Sequence, residues 1–241
     1  ISVLQIHTLS HRDQHGRPSR QKGEFGFCQR KRRDNILLAN LKITEYLEKA
    51  AAGTAVPGGG SVAALNASLA AGLTEMVANL TIGKKGYEAV AEEMNDIAGK
   101  AAALREKLTA AIDRDAEAYS EVMAAFKLPK ATDQEKGLRK LAVQKAFKHA
   151  ALVPLEVANH AVEVIDLAGR AVDSGNKNAV TDGLVAAMNA RTAALAALYN
   201  VKINLGSIED DEFVKKLTRE INDLEQQAKS KEQKILANVM I

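Results

Sequence analysis

Pro57-Gly58-Gly59-Gly60-Ser61 runs directly into Val62-Ala63-Ala64-Leu65-Asn66-Ala67-Ser68-Leu69-Ala70-Ala71-Gly72. This is the one dense glycine cluster in the chain, and it opens a segment with helical apolar spacing. Three consecutive glycines free the backbone to take positive φ and let another group approach it closely. Ser61 can cap the helix that follows. The same first-turn N–H groups would favour an anionic oxygen. A capped turn and an anion cradle both fit the stretch.

Working outward, the chain reads as helix after helix. A first helix is predicted over 35–52, with Ile36, Leu37, Leu41, Ile43, Tyr46 and Leu47 as its apolar set and Gly53 ending it. The second spans 61–82, where Val62, Leu65, Leu69, Leu73, Met76 and Leu80 recur at steps of three and four. The third carries the stripe Val90, Met94, Ile97, Ala101, Leu104, Leu108, Ile112, Tyr119, Val122 and Phe126. Its register needs one more inward position, and Asp115 occupies it; Asp113, Arg114 and Glu117 fall off the stripe and read as surface charge. Leu128-Pro129 stops this helix. Thr132-Asp133-Gln134-Glu135 has capping-box spacing and starts a fourth helix, expected to kink or break near Val153 before Pro154 and to end at Gly169. A polar loop over 173–178 then leads into a second small-residue helix through Leu184, Ala187, Met188, Arg191, Leu195 and Leu198. The alternating 200–205 stretch reads as an extended linker, and 210–238 as a final amphipathic helix with Phe213, Leu217, Ile221, Leu224 and Ala228 as its seam. The fold class is therefore all-α, a bundle of five or six long helices over 34–241.

Residues 1–33 read as a separate basic, flexible extension. They hold eight Lys/Arg against two Asp/Glu, leaving 25 basic and 28 acidic residues in 34–241. A mildly acidic body argues against a nucleic-acid footprint across the fold. His7, His11 and His15 are spaced as metal ligands on a helix would be, but the segment is a poor helix, so no metal site is expected; His149 and His160 read as structural. Cys28 is the single cysteine, which suits a reducing cytoplasm. No apolar run is expected to span a bilayer, and the opening Ile1-Ser2-Val3-Leu4 lacks a signal layout.

The residues alone do not name a reaction. Metal-cluster spacing, a GxSxG elbow and a phosphate-loop motif are all missing from the sequence, and the glycine loop follows a helix rather than a strand. Two carboxylates stand out. Asp115 on a buried stripe is costly unless paired, hydrogen-bonded or facing a wet pocket. Asp182 sits in the first turn of a helix, where the macrodipole alone would favour it.

The blocks Pro57-Gly58-Gly59-Gly60-Ser61-Val62-Ala63-Ala64, Ala78-Asn79-Leu80-Thr81-Ile82-Gly83-Lys84-Lys85, Asp115 within 112–119, Phe126-Lys127-Leu128-Pro129-Lys130, Val153-Pro154-Leu155, Gly175-Asn176 and Asn200-Val201-Lys202-Ile203-Asn204-Leu205 occur in an order and spacing that resembles the cyclodeaminase/cyclohydrolase family of folate enzymes. Residues 1–33 fall outside the match. The resemblance implies a helical bundle that forms a homodimer, with a folate pocket partly at the dimer interface and no cofactor beyond the tetrahydrofolate substrate itself. It implies hydrolysis of 5,10-methenyltetrahydrofolate to 10-formyltetrahydrofolate, or closure of 5-formimidoyltetrahydrofolate with loss of ammonia. On that resemblance Asp115 is the candidate base or charge stabiliser and Asp182 its partner or a pterin anchor. Lys130 is a proton donor or merely a surface lysine. Asn176 would read the pterin edge, and Gly58, Gly59, Gly60, Ser61, Lys84 and Lys85 would hold the carboxylate tail, although the two lysines also suit a solvated helix end. A non-enzymatic helical module using the basic tail as its binding arm is the alternative of a different class.

Overall fold

The computed structural model describes residues 37–239. The histidines and basic run of 1–33, and Cys28, lie outside the described residues. Among the described residues there are six α-helices and no strand: α1 (Ile43–Ala51), α2 (Gly59–Asn79), α3 (Ala91–Phe126), α4 (Asp133–Ser174), α5 (Val180–Leu205) and α6 (Asp211–Ala237). Short 3-10 turns precede α1, α3 and α5 at Leu38–Asn40, Glu88–Val90 and Lys177–Ala179.

Alanine sets how these helices meet. Ala63, Ala64, Ala67, Ala70, Ala71 and Ala78 are buried on α2, and Ala186, Ala187, Ala190, Ala193, Ala194 and Ala197 on α5. Small side chains bring the axes close, so α2 packs along α3, α4 and α5, while α5 packs along α4 and α6. Larger residues fill the wider gaps: Met94, Ile97, Leu108, Ile165, Leu198 and Ile221 are fully buried. Each such aliphatic side chain contributes roughly 1.5–3 kcal/mol by leaving water. The hydroxyls within this core are bonded: Thr74 Oγ1 donates to Ala70 O at 2.9 Å, and Ser68 Oγ meets Thr109 Oγ1 at 2.7 Å. Helix α2 is long and apolar enough, by length and composition alone, to cross a membrane, but half of it is buried in the bundle, as a core helix would be.

Several boundaries differ from the sequence expectation, each for a physical reason. α2 begins at Gly59, within the glycine cluster, and its N-cap is Gly58. Ser61 is thus the third helical residue, not the cap. The glycines of the cluster keep negative or extended φ; among the described residues positive φ occurs at Gly83 (73°) and Gly86 (90°), in the turn after α2. The predicted first helix shrinks to nine residues. Its apolar set is mostly exposed (Ile43 79%, Leu47 61%), and Tyr46 is the buried residue of α1. Asp113, expected on the surface, accepts hydrogen bonds from Leu38 N (2.5 Å) and Ala39 N (3.2 Å) and so caps the turn that leads into α1.

The Thr132 capping box forms as expected, with Glu135 N donating to Thr132 Oγ1 at 3.2 Å and Thr132 N to Glu135 Oε2 at 2.9 Å. α4 neither breaks at Pro154 nor ends at Gly169; it runs unbroken to Ser174. Gly169 is an interior contact, where a Cβ would lie 3.1 Å from Ile235 of α6. The 200–205 stretch is not extended but forms the last turns of α5. His149 bonds Glu121 at 2.7 Å, and His160 lies between Glu156 and Glu163, consistent with structural roles.

The pairing of α5 with α4 is close enough at one glycine to be tested. A Cβ at Gly183 on α5 would lie 2.6 Å from Val172 Cγ2 on α4, and a β-branched valine has little rotamer freedom to yield. Gly183→Ala is expected to cost about 1–3 kcal/mol of stability, read from urea unfolding followed by circular dichroism.

Candidate active site

The first turn of α2 docks against the middle of α3. There Ser61 Oγ lies 2.9 Å from Asp115 Oδ2 and 3.0 Å from Ile112 O, sharing one proton between two acceptors. The Asp115 carboxylate rests against Gly60: a Cβ on that residue would fall 2.6 Å from Asp115 Cγ. The glycine cluster therefore serves close approach between two helices rather than positive φ. Burial pushes the Asp115 carboxyl above the usual carboxylate range, and hydrogen bonds from the Ser61 hydroxyl and backbone N–H pull it part of the way back.

Asp115 faces a cavity of about 380 Å³ and, among the described residues, is the one charged side chain lining it. The volume falls in the range of small-molecule sites. The first turn of α2 forms one wall, and Tyr119 with Val122 continues the wall of α3. Phe147 and Ala150 of α4 and Asn200, Ile203 and Asn204 of α5 complete it, and Ala50, Ala52 and the 54–57 loop cover it. Gly58 carries no side-chain cap, so the helix start can offer N–H donors and the positive end of its dipole to the same space as the carboxylate.

Pro154 helps to shape this wall. A proline has no N–H for the carbonyl four residues earlier, which leaves Ala150 O without its helical donor. Asn204 supplies one: its Nδ2 donates to Ala150 O at 2.8 Å and also lies 2.9 Å from Asn200 O. Asn200 is fixed in turn by donation to Ala196 O at 2.9 Å. On α1, Tyr46 is buried, and its hydroxyl has no hydrogen-bond partner among the described residues. Burial and the neighbouring carboxylates of Asp115 and Asp113 push the phenol up to about 12.

Of the residues singled out in the sequence, the fold gathers Gly58, Gly59, Gly60, Ser61 and Asp115. It does not gather the others with them in one chain. Asn176 N donates to Thr81 Oγ1 at 2.9 Å and its Nδ2 to Leu80 O at 3.1 Å, so Asn176 ties the start of α5 to the far end of α2. Lys84 and Lys85 follow that same end, and Asp182 sits partly exposed in the first turn of α5. α5 runs antiparallel to α2, and Asp182 stands ~27 Å along the helix from Asn200, at 1.5 Å per residue. Lys130 is exposed in the turn between α3 and α4 and lines a separate depression with Lys136, Arg139 and Lys140.

This arrangement matches a known set of proteins. The sequence profile described as formiminotransferase-cyclodeaminase matches residues 42–223. The chain belongs to that family. A methenyltetrahydrofolate cyclohydrolase of Methylorubrum extorquens is 36% identical over 203 residues, covering 84% of this chain and 98% of its own length. A formimidoyltransferase-cyclodeaminase of Rattus norvegicus is 32% identical over 202 residues; the match covers 84% of this chain but 37% of that longer protein. A formiminotetrahydrofolate cyclodeaminase structure from Thermotoga maritima superposes with a TM-score of 0.73 at 33% identity, covering 81% of this chain and 93% of that one.

Asn200, Asn204, Tyr119 and Tyr46 were not singled out as site residues from the sequence. Two asparagines four apart in an alanine-rich segment put two amides on one helix face, a signal visible only once 200–205 is read as helix. The seat of the carboxylate can be tested by one pair of substitutions. Gly60→Ala is expected to expel Asp115 and cost about 1–3 kcal/mol. Gly59→Ala, whose Cβ would meet Asn200 Nδ2 at an ordinary 3.4 Å, is expected to cost far less in the same denaturant titration.

Proposed function

We propose that the chain hydrolyses 5,10-methenyltetrahydrofolate to 10-formyltetrahydrofolate, a reading carried by Asp115 as the one charged group among the described residues that line the cavity. The methenyl group is an amidinium-like cation, and a single half-buried carboxylate complements it. Water adds to the methenyl carbon and gives up a proton to Asp115. The bond from that carbon to nitrogen-5 then breaks as nitrogen-5 takes that proton back, while the new hydroxyl loses its own proton to solvent and becomes the carbonyl of the formyl group on nitrogen-10. The net reaction consumes one water and releases one proton. The substrate is its own electrophile, so the reading requires no metal or cofactor. Lys130 is given no part in it. The match over nearly the full length of the Methylorubrum cyclohydrolase, 98% of it, supports this choice.

Closure of 5-formimidoyltetrahydrofolate is the second reading, favoured by the likeness to the Thermotoga cyclodeaminase. It uses the same tetrahedral carbon: nitrogen-10 attacks, and ammonia leaves after protonation. Either reaction suits the cytoplasmic location expected from the sequence.

A homodimer completes the reading. Among the described residues, the cavity of one chain is lined by no cationic side chain to meet the carboxylates of a folate tail, while Lys84 and Lys85 stand at the opposite end of α2. Leu69 and Met76 on α2 with Leu80 just past its end, and Val185, Met188, Tyr199 and Ile203 on α5, leave exposed apolar stripes on two adjacent helices. Burying such stripes against a second copy is favourable. A two-fold axis across α2 and α5 would bring the Asp115 end of one protomer beside the Asp182, Asn176 and Lys84 end of its partner.

Two experiments test these statements. In a parallel absorbance assay with methenyl- and formimidoyl-tetrahydrofolate, Asp115→Asn should lower turnover at least ~100-fold with helix content unchanged. The wild-type acidic limb should lie above the usual carboxylate range, because Asp115 must be ionised to act. The raised carboxyl also sets a sign for stability. Its charged form is disfavoured in the fold, so the penalty is present at neutral pH and is relieved as pH falls through its pKa. Asp115→Asn should therefore be at least as stable as wild type at neutral pH, with the gap closing in acid. Turnover of neither substrate by the wild type would sink the enzymatic reading.

For the shared site, Asp115→Asn and Asp182→Asn chains are refolded together. Mixed dimers carry one intact site, so an equal mixture should recover about a quarter of wild-type activity. A mixture no more active than its components would exclude a site shared in this way.

A further inference from the structure

α1 contributes one buried side chain, Tyr46, and the rest of the helix is exposed. A hydroxyl buried without a partner is unfavourable in the fold, and a phenylalanine would fill the same space without that cost. Ala50 lies one turn beyond Tyr46 on the same face of α1 and lines the cavity opposite Asp115. Asp113, two residues before Asp115, fixes the turn that precedes α1 through Leu38 N and Ala39 N. Tyr46 is thus buried near enough to Asp115 and Asp113 to feel their charges, on the side of α1, while Ser61 holds the Asp115 carboxylate from α2.

We infer that Tyr46 is a positioning residue for Asp115: with substrate bound, α1 settles on the cavity and the Tyr46 hydroxyl donates a hydrogen bond to the carboxylate. This rests on the folate reading above. The phenol is too weak an acid to lose its proton near neutral pH, so it can only donate, and a donor favours the ionised form of the base. The other groups around Asp115 leave that role to Tyr46. From α2 comes the Ser61 hydroxyl, already shared with Ile112 O. The Asn200 and Asn204 amides of α5 already donate to Ala196 O, Ala150 O and Asn200 O, Phe147 of α4 has no donor, and Tyr119, four residues on along α3, is part-exposed in the open cavity rather than buried. Arg114 of α3 and Glu156 of α4 pair with each other at 2.6 and 2.9 Å.

The test is the pH profile of kcat/KM for full-length Tyr46→Phe beside wild type, with both folate substrates. Loss of a donor to a charged acceptor should lower kcat/KM by about tenfold or more below neutral pH. It should also move the acidic limb upward by about one pH unit. Melting temperature should stay equal or rise, because the variant removes an unpartnered hydroxyl. In an Asp115→Asn background, adding Tyr46→Phe should change residual turnover less than twofold. A Tyr46→Phe enzyme with a wild-type limb overturns the inference, as does one that loses stability in step with activity. If the wild type turns over neither substrate, the folate reading fails and takes this one with it.

Discussion

The contact between the first turn of α2 and Asp115 is the constraint on which the site depends. A carboxylate placed on the buried stripe of a long helix would normally be expelled or neutralised. Here it stays because the facing residue has no side chain. Gly60 lets the carboxylate reach the backbone, Ser61 bonds it through both hydroxyl and N–H, and the uncapped helix start adds a favourable field. These supports offset part of the desolvation and leave a group that is ionisable but not comfortable. Such a group gains most when a cation arrives, which is the electrostatic demand of a methenyl-bearing folate.

Around that contact, two proline and glycine features have exchanged their usual meanings. Pro154 does not break α4; it vacates the Ala150 carbonyl, and Asn204 takes the vacated bond and is thereby fixed at the cavity wall. The glycines at 58–60 do not turn the chain through positive φ; they thin the backbone where a side chain must approach. Both features turn a local backbone rule into placement of a polar group, and both belong to residues far apart in sequence.

The helical class, the capping box at Thr132, the α6 seam and the inward register of Asp115 were all legible in the sequence, because each follows from a local period or spacing. The misreadings share a cause. Pro154, Gly169 and the 200–205 stretch carry strong local signals for a break, a stop and a strand, and each is overridden by a tertiary partner: Asn204, Ile235 and the α4 face respectively. The separation of Asp182, Asn176 and the two lysines from Asp115 was not legible at all. It follows from the antiparallel course of α2 and α5, which no single segment encodes. Tyr46 was read as one member of an apolar set; its hydroxyl becomes notable only once α1 is seen to bury nothing else.

On the proposed reading, Asp115 is held in a state that a cationic ligand relieves. Carbon-13 titration of the Asp115 carboxyl, first in the free protein and then with a slowly hydrolysed methenyltetrahydrofolate analogue bound, reads that state directly. An inflection above the usual carboxylate range is expected in the free protein, with a clear downward shift when the cation is bound. An ordinary inflection that the cation does not move would contradict it.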